Sequence, residues 1–258
     1  MSAVVTVVAL TILLAAAAGY LLWPRFVFAP VYYAKRDAFH RYPERFKPLQ
    51  IVRDQNVVLE GIVYTPDMPA CTVLYFGGKV QDSVALVGKL SERFPSWRIV
   101  SFNYRGYGLS QGKPSEHALL EDAVYIVDYI QERYGSSVVM GYSLGSSVAA
   151  FAASRRAVKS LVLVAPFYDV VSLVRKHVPG LPRWLVRYRF ETARFLGGVS
   201  APVIIFASRG DTIVPVEQSH ALKAKAKNLA MYKEYSGYNH AEILGSDVFA
   251  ADVSEVCR

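Results

Sequence analysis

The chain has 258 residues, 53% of them hydrophobic, and a formal net charge of +8. This length and apolar content allow a full hydrophobic core and favour one large domain with an appendage. The two cysteines, Cys71 and Cys257, lie far apart in the sequence, and their spacing excludes a disulfide framework, a zinc site and a C-x-x-C redox pair.

The first 24 residues predict a membrane-spanning helix. Positions 2–23 contain no charged residue, and at 1.5 Å each their helical length is about 33 Å, close to the hydrocarbon thickness of a bilayer. Tyr20 and Trp23 fit an interfacial aromatic belt. The alternative is a cleaved signal peptide with its cleavage site near the alanine run 15–18, although no basic region precedes the apolar segment.

Residues 25–48 are rich in aromatic, basic and proline residues and predict a juxtamembrane connector. Basic residues follow the apolar segment and none precedes it; they are Arg25, Lys35, Arg36 and Arg41. By the positive-inside tendency, this asymmetry predicts a single-pass membrane protein whose catalytic domain faces the cytoplasm.

Residues 49–258 alternate between strand-like and helix-like segments. The predicted strands are 49–52, 57–64, 72–76, 98–102, 138–140, 160–164, 203–207 and 230–235. The predicted helices are 80–94, 115–134, one beginning at 144, 217–226 and 241–256. Repeated crossovers of this kind predict an α/β fold, in which a mainly parallel eight-stranded sheet is covered by helices on both faces.

An irregular basic insert at 167–199 interrupts this alternation. The window 151–200 contains nine Lys or Arg residues, whereas Asp169 and Glu191 are its only acids. A basic patch can attract nucleic acid, acidic substrates or an anionic membrane, and the predicted anchor favours the membrane. The insert is interpreted either as a solvated helical pair or as an amphipathic cap that lies on headgroups and admits an acyl chain.

A G-x-S-x-G motif joins the strand 138–140 to the Ala-rich helix that follows it. Gly141 and Gly145 permit a tight turn, because side chains there would collide with neighbouring elements. Ser143 would then project over the edge of the sheet as the candidate nucleophile. The alternative is a capping serine in an ordinary strand-to-helix turn.

Two further polar residues follow the carboxyl ends of predicted strands, where open parallel sheets bind ligands. Asp211 follows strand 203–207, and His240 follows strand 230–235. His240 would act as the base for Ser143, and Asp211 would fix its tautomer. Asp169, after strand 160–164, is a rival acid. The remaining histidines do not follow a late strand: His40, His117, His177 and His220.

Three motifs, GYSLG at 141–145, RGDTIVP at 209–215 and GYNH at 237–240, resemble the nucleophile, acid and histidine motifs of the α/β-hydrolase superfamily, in the same order. The loop NYRGYGLS at 103–110 also resembles a glycine-rich turn of that superfamily. The similarity covers about 49–258, and the insert lies where these proteins have a cap. The closest resemblance is to single-pass membrane-anchored serine hydrolases, which include depalmitoylating thioesterases and esterases.

An oxyanion hole would need two backbone donors. The first is the N–H of Leu144, at the start of the helix after the elbow. The resemblance places the second at the N–H of Lys79, in the loop after strand 72–76. This chain has Gly77-Gly78 there, where many relatives have His-Gly.

Together these features predict a serine hydrolase that cleaves acyl esters or thioesters, of lipids or lipidated proteins at a bilayer, through an acyl-enzyme on Ser143. The sequence shows no metal-ligand cluster or phosphate loop, so neither a metal nor a cofactor is predicted, and nucleic acid is not a predicted partner. The alternatives are a serine peptidase or amidase with the same three residues and a non-catalytic membrane-anchored scaffold.

Some residues near the motifs have a more ordinary interpretation. Asp122 and Asp128 lie six apart on the predicted helix 115–134, which favours a solvated helix surface over a carboxylate pair. Tyr107, Tyr142 and Tyr238 flank the motifs and could line the pocket or serve in packing.

Overall fold

A computed structural model describes residues 5–7, 11, 19–21, 23–24, 27–29, 44–176 and 178–257. The strands of this part of the chain are β1 (Phe46–Val52), β2 (Val58–Tyr64), β3 (Cys71–Phe76), β4 (Trp97–Phe102), β5 (Val138–Tyr142), β6 (Ser160–Val164), β7 (Val203–Ser208) and β8 (Leu229–Tyr235). They form one sheet in the order β1-β2-β4-β3-β5-β6-β7-β8. β2 runs antiparallel to both β1 and β4, and the remaining neighbours are parallel. The predicted mainly parallel eight-stranded sheet is confirmed.

Helices cover both faces of this sheet. They are α1 (Ser83–Arg93), α2 (Glu116–Tyr134), α3 (Leu144–Arg155), α4 (Val170–Arg175), α5 (Thr192–Leu196), α6 (Val216–Lys223) and α7 (Asp247–Ser254). Successive side chains of a strand point to opposite faces, so each central strand contributes to two apolar clusters. In β3, Leu74 and Phe76 join the cluster that contains α2 and α3, whereas Val73 and Tyr75 join the one that contains α1 and α7.

Capping side chains explain where two predicted helices differ from the observed ones. The helix predicted from residue 80 begins at Ser83, because the carboxylate of Asp82 accepts the N–H of Ala85 at 3.0 Å. The helix predicted over 241–256 is divided into a 3₁₀ turn, Ile243–Gly245, and α7. The hydroxyl of Ser246 accepts the N–H of Phe249 at 3.3 Å and so begins a new helix there.

The predicted membrane anchor and membrane location are corrected by the structure. Within the residues described, no helix has the length and apolar character needed to cross a bilayer, and this contradicts the predicted single-pass protein with a cytoplasmic catalytic domain. Much of 1–24 lies outside the described residues, and so do the connector residues Arg25, Lys35, Arg36 and Arg41. The described aromatic residues nearby contact the α/β domain: Trp23 packs against its core, and Tyr20 lies 5.2 Å from the guanidinium of Arg187. The predicted domain boundaries at 24 and 48 stay predictions.

The two cysteines form a disulfide, which corrects the prediction that their spacing offers no disulfide framework. Cys71 and Cys257 are 186 residues apart, yet their Cα atoms are separated by 5.4 Å. Cys71 begins β3 and Cys257 ends the C-terminal 3₁₀ turn that follows α7, so the fold brings the two thiols together. The long separation of the two cysteines in the sequence is therefore no evidence against a disulfide between them.

Asp122 is buried rather than solvated, which corrects a further prediction. Its carboxylate accepts Nε of Arg105 at 2.7 Å and Nε of Arg53 at 2.9 Å, while its side chain is only 6% exposed. Burying a carboxylate without such partners would be costly. Hydrogen bonding to Asp122 raises the pKa of Arg105 above its usual value. Asp128, by contrast, lies at the surface and pairs with Arg156, in agreement with the prediction.

Candidate active site

Ser143 lies at a sharp turn between β5 and α3. Its backbone has φ 53° and ψ −116°, in the positive-φ region that non-glycine residues rarely adopt. The N–H of Ser143 donates to the carbonyl of Val164 at 2.9 Å, which ties the turn to β6. A Cβ at Gly141 would overlap the Gly145 carbonyl, and one at Gly145 would overlap the Phe76 carbonyl. Both glycines are therefore required sterically, as the motif predicts.

Ser143, His240 and Asp211 form a continuous chain of hydrogen bonds. Ser143 Oγ lies 2.9 Å from His240 Nε2, and His240 Nδ1 lies 2.6 Å from Asp211 Oδ2. The other carboxylate oxygen of Asp211 accepts the N–H groups of Ile213 and Val214 at 2.9 and 2.7 Å. These contacts orient the buried carboxylate and, through it, the imidazole. The structure thus brings together the three residues that the strand ends predict.

The rival candidates have other roles. Asp169 accepts the N–H of Ser172 at 2.6 Å as the N-cap of α4. His220 pairs with Glu234 at 2.6 Å, and His117 lies in the first turn of α2. His40 and His177 lie outside the described residues. Of the described histidines, His240 is the one that hydrogen-bonds to Ser143.

Tyr142, for which the sequence leaves pocket lining and packing as alternatives, contacts His240 directly. Its hydroxyl donates to the carbonyl oxygen of His240 at 2.8 Å, and the two rings lie 5.1 Å apart. Burial, with a smaller contribution from the Asp211 carboxylate, raises the pKa of Tyr142, so the phenol stays a neutral donor. The residue that precedes the serine therefore holds the loop that carries the histidine.

The loop at 77–79 approaches the serine closely. A Cβ at Gly78 would lie 3.5 Å from Cβ of Ser143 and 3.0 Å from the Tyr142 ring, so glycine fits here without displacing either. Leu144 is the first residue of α3, where backbone N–H groups have no partner within the helix. Burial lowers the pKa of the Lys79 ammonium, whose side chain extends along the adjoining cavity. Both predicted backbone donors thus border the serine.

A cavity of about 570 Å³ opens beside Ser143. Apolar side chains of the insert form one side of it and the loop after Asp211 forms another; its lining residues are Val27, Lys79, Ser143, Leu144, Phe167, Val170, Leu173, Val174, Val178, Thr212, Ile213 and Val214. The insert therefore lines the cavity beside the serine, and its predicted roles as a cap and as a contact with a bilayer stay predictions. Among residues 44–176 and 178–257, no group of three or more His, Cys, Asp or Glu side chains could hold a metal ion.

Comparison with known proteins supports the fold that the structure shows. A family model described as the alpha/beta hydrolase fold matches residues 76–201, which include β5, the elbow and the insert. The esterase Pf2001 of Pyrococcus furiosus superimposes with a TM-score of 0.68 over 89% of this chain and 95% of its own, at 18% identity, which is evidence for the fold alone. The chain has the α/β-hydrolase fold, and the family-model match supports membership of that superfamily.

Two curated relatives are similar in sequence over more than half of this chain. The lysophosphatidylserine lipase ABHD12 of Danio rerio is 28% identical over 193 residues, which are 63% of this chain and 50% of the lipase. The chain thus spans about half the length of that relative. The uncharacterized protein YfhR of Salmonella typhimurium is 27% identical over 233 residues, 81% of this chain and 78% of its own.

Proposed function

We propose that this protein is a serine hydrolase that cleaves acyl esters or thioesters through an acyl-enzyme on Ser143. One observation carries the proposal: the hydrogen-bonded chain from Asp211 through His240 to Ser143 ends at an apolar cavity. A serine hydroxyl is a poor nucleophile until a neighbouring base can take its proton, and this arrangement supplies the base.

The residues divide the reaction between them. Ser143 Oγ attacks the acyl carbonyl carbon, and its proton passes to Nε2 of His240. Asp211 accepts a hydrogen bond from the Nδ1–H of His240 throughout and stabilises the imidazolium. The N–H groups of Leu144 and Lys79 would bind the negative oxygen of the tetrahedral intermediate. His240 then protonates the leaving oxygen or sulfur, and the same base later deprotonates the water that releases the carboxylic acid.

The apolar lining of the cavity favours a substrate with an acyl chain. Its wall on the insert side consists of Phe167, Val170, Leu173, Val174 and Val178. Burying apolar surface is favourable by roughly 0.8 kcal/mol for each methylene, so a chain lying along this wall would gain affinity with length. The named relatives include a lipase and an esterase, which supports the same substrate class.

Labelling with a fluorophosphonate probe and hydrolysis of matched p-nitrophenyl esters, thioesters and anilides test the proposal. We expect Ser143→Ala to abolish labelling and to lower kcat about 10⁴-fold or more, because the nucleophile is gone. Ser147→Ala is the matched control, since Ser147 is a buried serine one turn further along α3. It should be labelled and active.

The outcomes separate the candidate functions. Faster cleavage of anilides than of esters would favour a peptidase or amidase over the proposed esterase. Equal labelling of wild type and Ser143→Ala, or activity that survives the substitution, would refute a serine mechanism. An increase of kcat/KM with acyl-chain length would support the assignment of the cavity to the acyl group.

A further inference from the structure

We propose that Tyr104, Tyr107 and Gln81 are positioning residues that hold the loop at 77–79 with the N–H of Lys79 directed to the oxyanion. The inference rests on the proposed hydrolase function and assigns roles within the same site. It concerns side chains that do not touch the substrate and that act through the backbone of the loop.

Two buried tyrosines from the loop after β4 hold the carbonyls at the two ends of this segment. The hydroxyl of Tyr104 donates to the Gly77 carbonyl at 2.8 Å, and that of Tyr107 donates to the Lys79 carbonyl at 2.9 Å. Tyr104 is 6% exposed and Tyr107 is fully buried. Their rings pack edge to face at 5.6 Å, so each supports the position of the other.

Gln81 holds Gly78, the middle residue of the segment. Its Oε1 accepts the N–H of Gly78 at 2.8 Å and the hydroxyl of Tyr75 at 2.8 Å. Its own N–H donates to the Gly78 carbonyl at 3.3 Å. The Gly78 N–H is thus engaged by Gln81, which makes it a poor candidate for the oxyanion.

The orientation of the Lys79 N–H follows from these contacts. In a planar trans peptide, the carbonyl and the N–H point in opposite directions. The Gly78 carbonyl points towards the N–H of Gln81, so the N–H of Lys79 points away from Gln81. A Cβ built on Gly78 would lie 3.5 Å from Cβ of Ser143, so the peptide that Gly78 shares with Lys79 lies beside the serine. Hydrogen bonds at 77, 78 and 79 together prevent this peptide from flipping.

Tyr107 also connects the loop with the N-terminal segment. Its hydroxyl accepts the N–H of Ala29 at 3.1 Å, and the neighbouring Phe28 packs against the rings of Tyr188 and Phe190 at 5.1 and 6.1 Å. Val27, next in the chain, lines the cavity beside Ser143. The same hydroxyl therefore links the oxyanion loop to a segment that forms part of the cavity wall.

Tyr107→Phe, Tyr104→Phe and the double variant test the inference, with kcat and KM measured on a p-nitrophenyl ester. Since a displaced donor costs transition-state binding more than substrate binding, we expect each single variant to lower kcat about 10-fold with KM unchanged. Affinity for an alkyl boronic acid, whose tetrahedral adduct on Ser143 needs the same donors, should fall in proportion to kcat. The pH at which activity is half maximal should not change, because His240 keeps its contacts.

Tyr64→Phe is the matched control, because Tyr64 is a buried tyrosine in β2 whose hydroxyl donates to the Pro95 carbonyl at 3.1 Å, away from Ser143. It should share any loss of melting temperature with the test variants but keep kcat and the boronic-acid affinity. Wild-type kcat in both Tyr104→Phe and Tyr107→Phe would overturn the inference, as would an equal loss of kcat in Tyr64→Phe. Ser143→Ala, assayed in parallel, separates the two proposals: its full activity would refute the hydrolase mechanism itself.

Discussion

The two walls of the cavity are built in different ways. The elbow wall, at residues 77–79 and 143–145, includes Lys79, Ser143 and Leu144 of the cavity lining. It is held by hydrogen bonds to its backbone and by glycines that leave no space for a side chain. The insert wall, formed by Phe167, Val170, Leu173, Val174 and Val178, presents apolar side chains, and Val178 is 50% exposed.

Each wall has the construction that its proposed task requires. Stabilising a developing oxyanion depends on donors held within a fraction of an ångström, and backbone contacts on sheet and helix ends provide that precision. Binding an acyl chain depends on apolar area and tolerates small shifts. Hydrogen bonds also tie the backbone of the insert to the rest of the domain: Glu116 accepts the N–H groups of Arg189 and Phe190, each at 2.7 Å, and Gln218 accepts the N–H of Tyr168 at 3.0 Å.

Among substitutions that keep Ser143, His240 and Asp211, the largest effect is expected from Gly145→Ala in the elbow wall. A Cβ at 145 would overlap the Phe76 carbonyl and lie 2.6 Å from the Gly77 carbonyl, so α3 or the loop at 77–79 must move away. We expect kcat to fall by at least about 10²-fold, because a displacement of about 1 Å at a catalytic group already costs that much. The melting temperature should fall as well. Kinetics on a short ester and thermal unfolding measure both.

Gly245→Ala is the matched control for this substitution. In the described part of the chain, no heavy atom beyond the neighbouring residues and its own helical turn lies within 4 Å of the Cβ position at 245, and the backbone there is not in the positive-φ region. It should retain the wild-type kcat and melting temperature. Comparable activity in Gly145→Ala and Gly245→Ala would contradict the tight construction of the elbow wall.

A comparable loss of kcat is expected at Lys79, where the roles of the backbone and the side chain can be separated. Lys79→Pro removes the N–H that we assign to the oxyanion and should lower kcat roughly 10²- to 10³-fold, the usual cost of one oxyanion-hole donor. Lys79→Ala keeps the N–H and should retain most of the activity. Steady-state kinetics on a short ester, with circular dichroism to verify folding, compare the two. Equal activity would remove Lys79 from the oxyanion hole.

The elbow wall was predictable from sequence because its signals are local. Gly141, Ser143 and Gly145 lie within five residues, and Asp211 and His240 each follow a strand that its own apolar run identifies. A parallel sheet then brings the ends of those strands to one edge. The strand pattern thus predicted which side chains would meet.

Within the α/β domain, the predictions that the structure corrects concern contacts between residues far apart in the chain. Cys71 and Cys257 meet only because β3 and the C-terminal turn are neighbours in the fold. Asp122 is buried because Arg53 and Arg105, from other segments of the chain, pair with it. The periodicity of α2 does not predict these two partners. The contact of Tyr142 with the His240 carbonyl spans 98 residues. Composition and periodicity contain no information about such pairings.

The smallest effect is expected in the insert wall and should alter selectivity rather than chemistry. Val174 lines the cavity and is partly buried, so Val174→Trp would fill space that we assign to the acyl chain. Hydrolysis of a short ester should stay close to wild type, while each methylene excluded from the cavity should cost about 0.8 kcal/mol, or about fourfold in kcat/KM. A series of p-nitrophenyl esters of increasing chain length measures this, with Val248→Trp at the 44% exposed surface of α7 as the control. Identical chain-length profiles for Val174→Trp, Val248→Trp and wild type would show that the acyl group lies elsewhere, because a bulkier side chain cannot occupy the same space as a substrate without changing its preference.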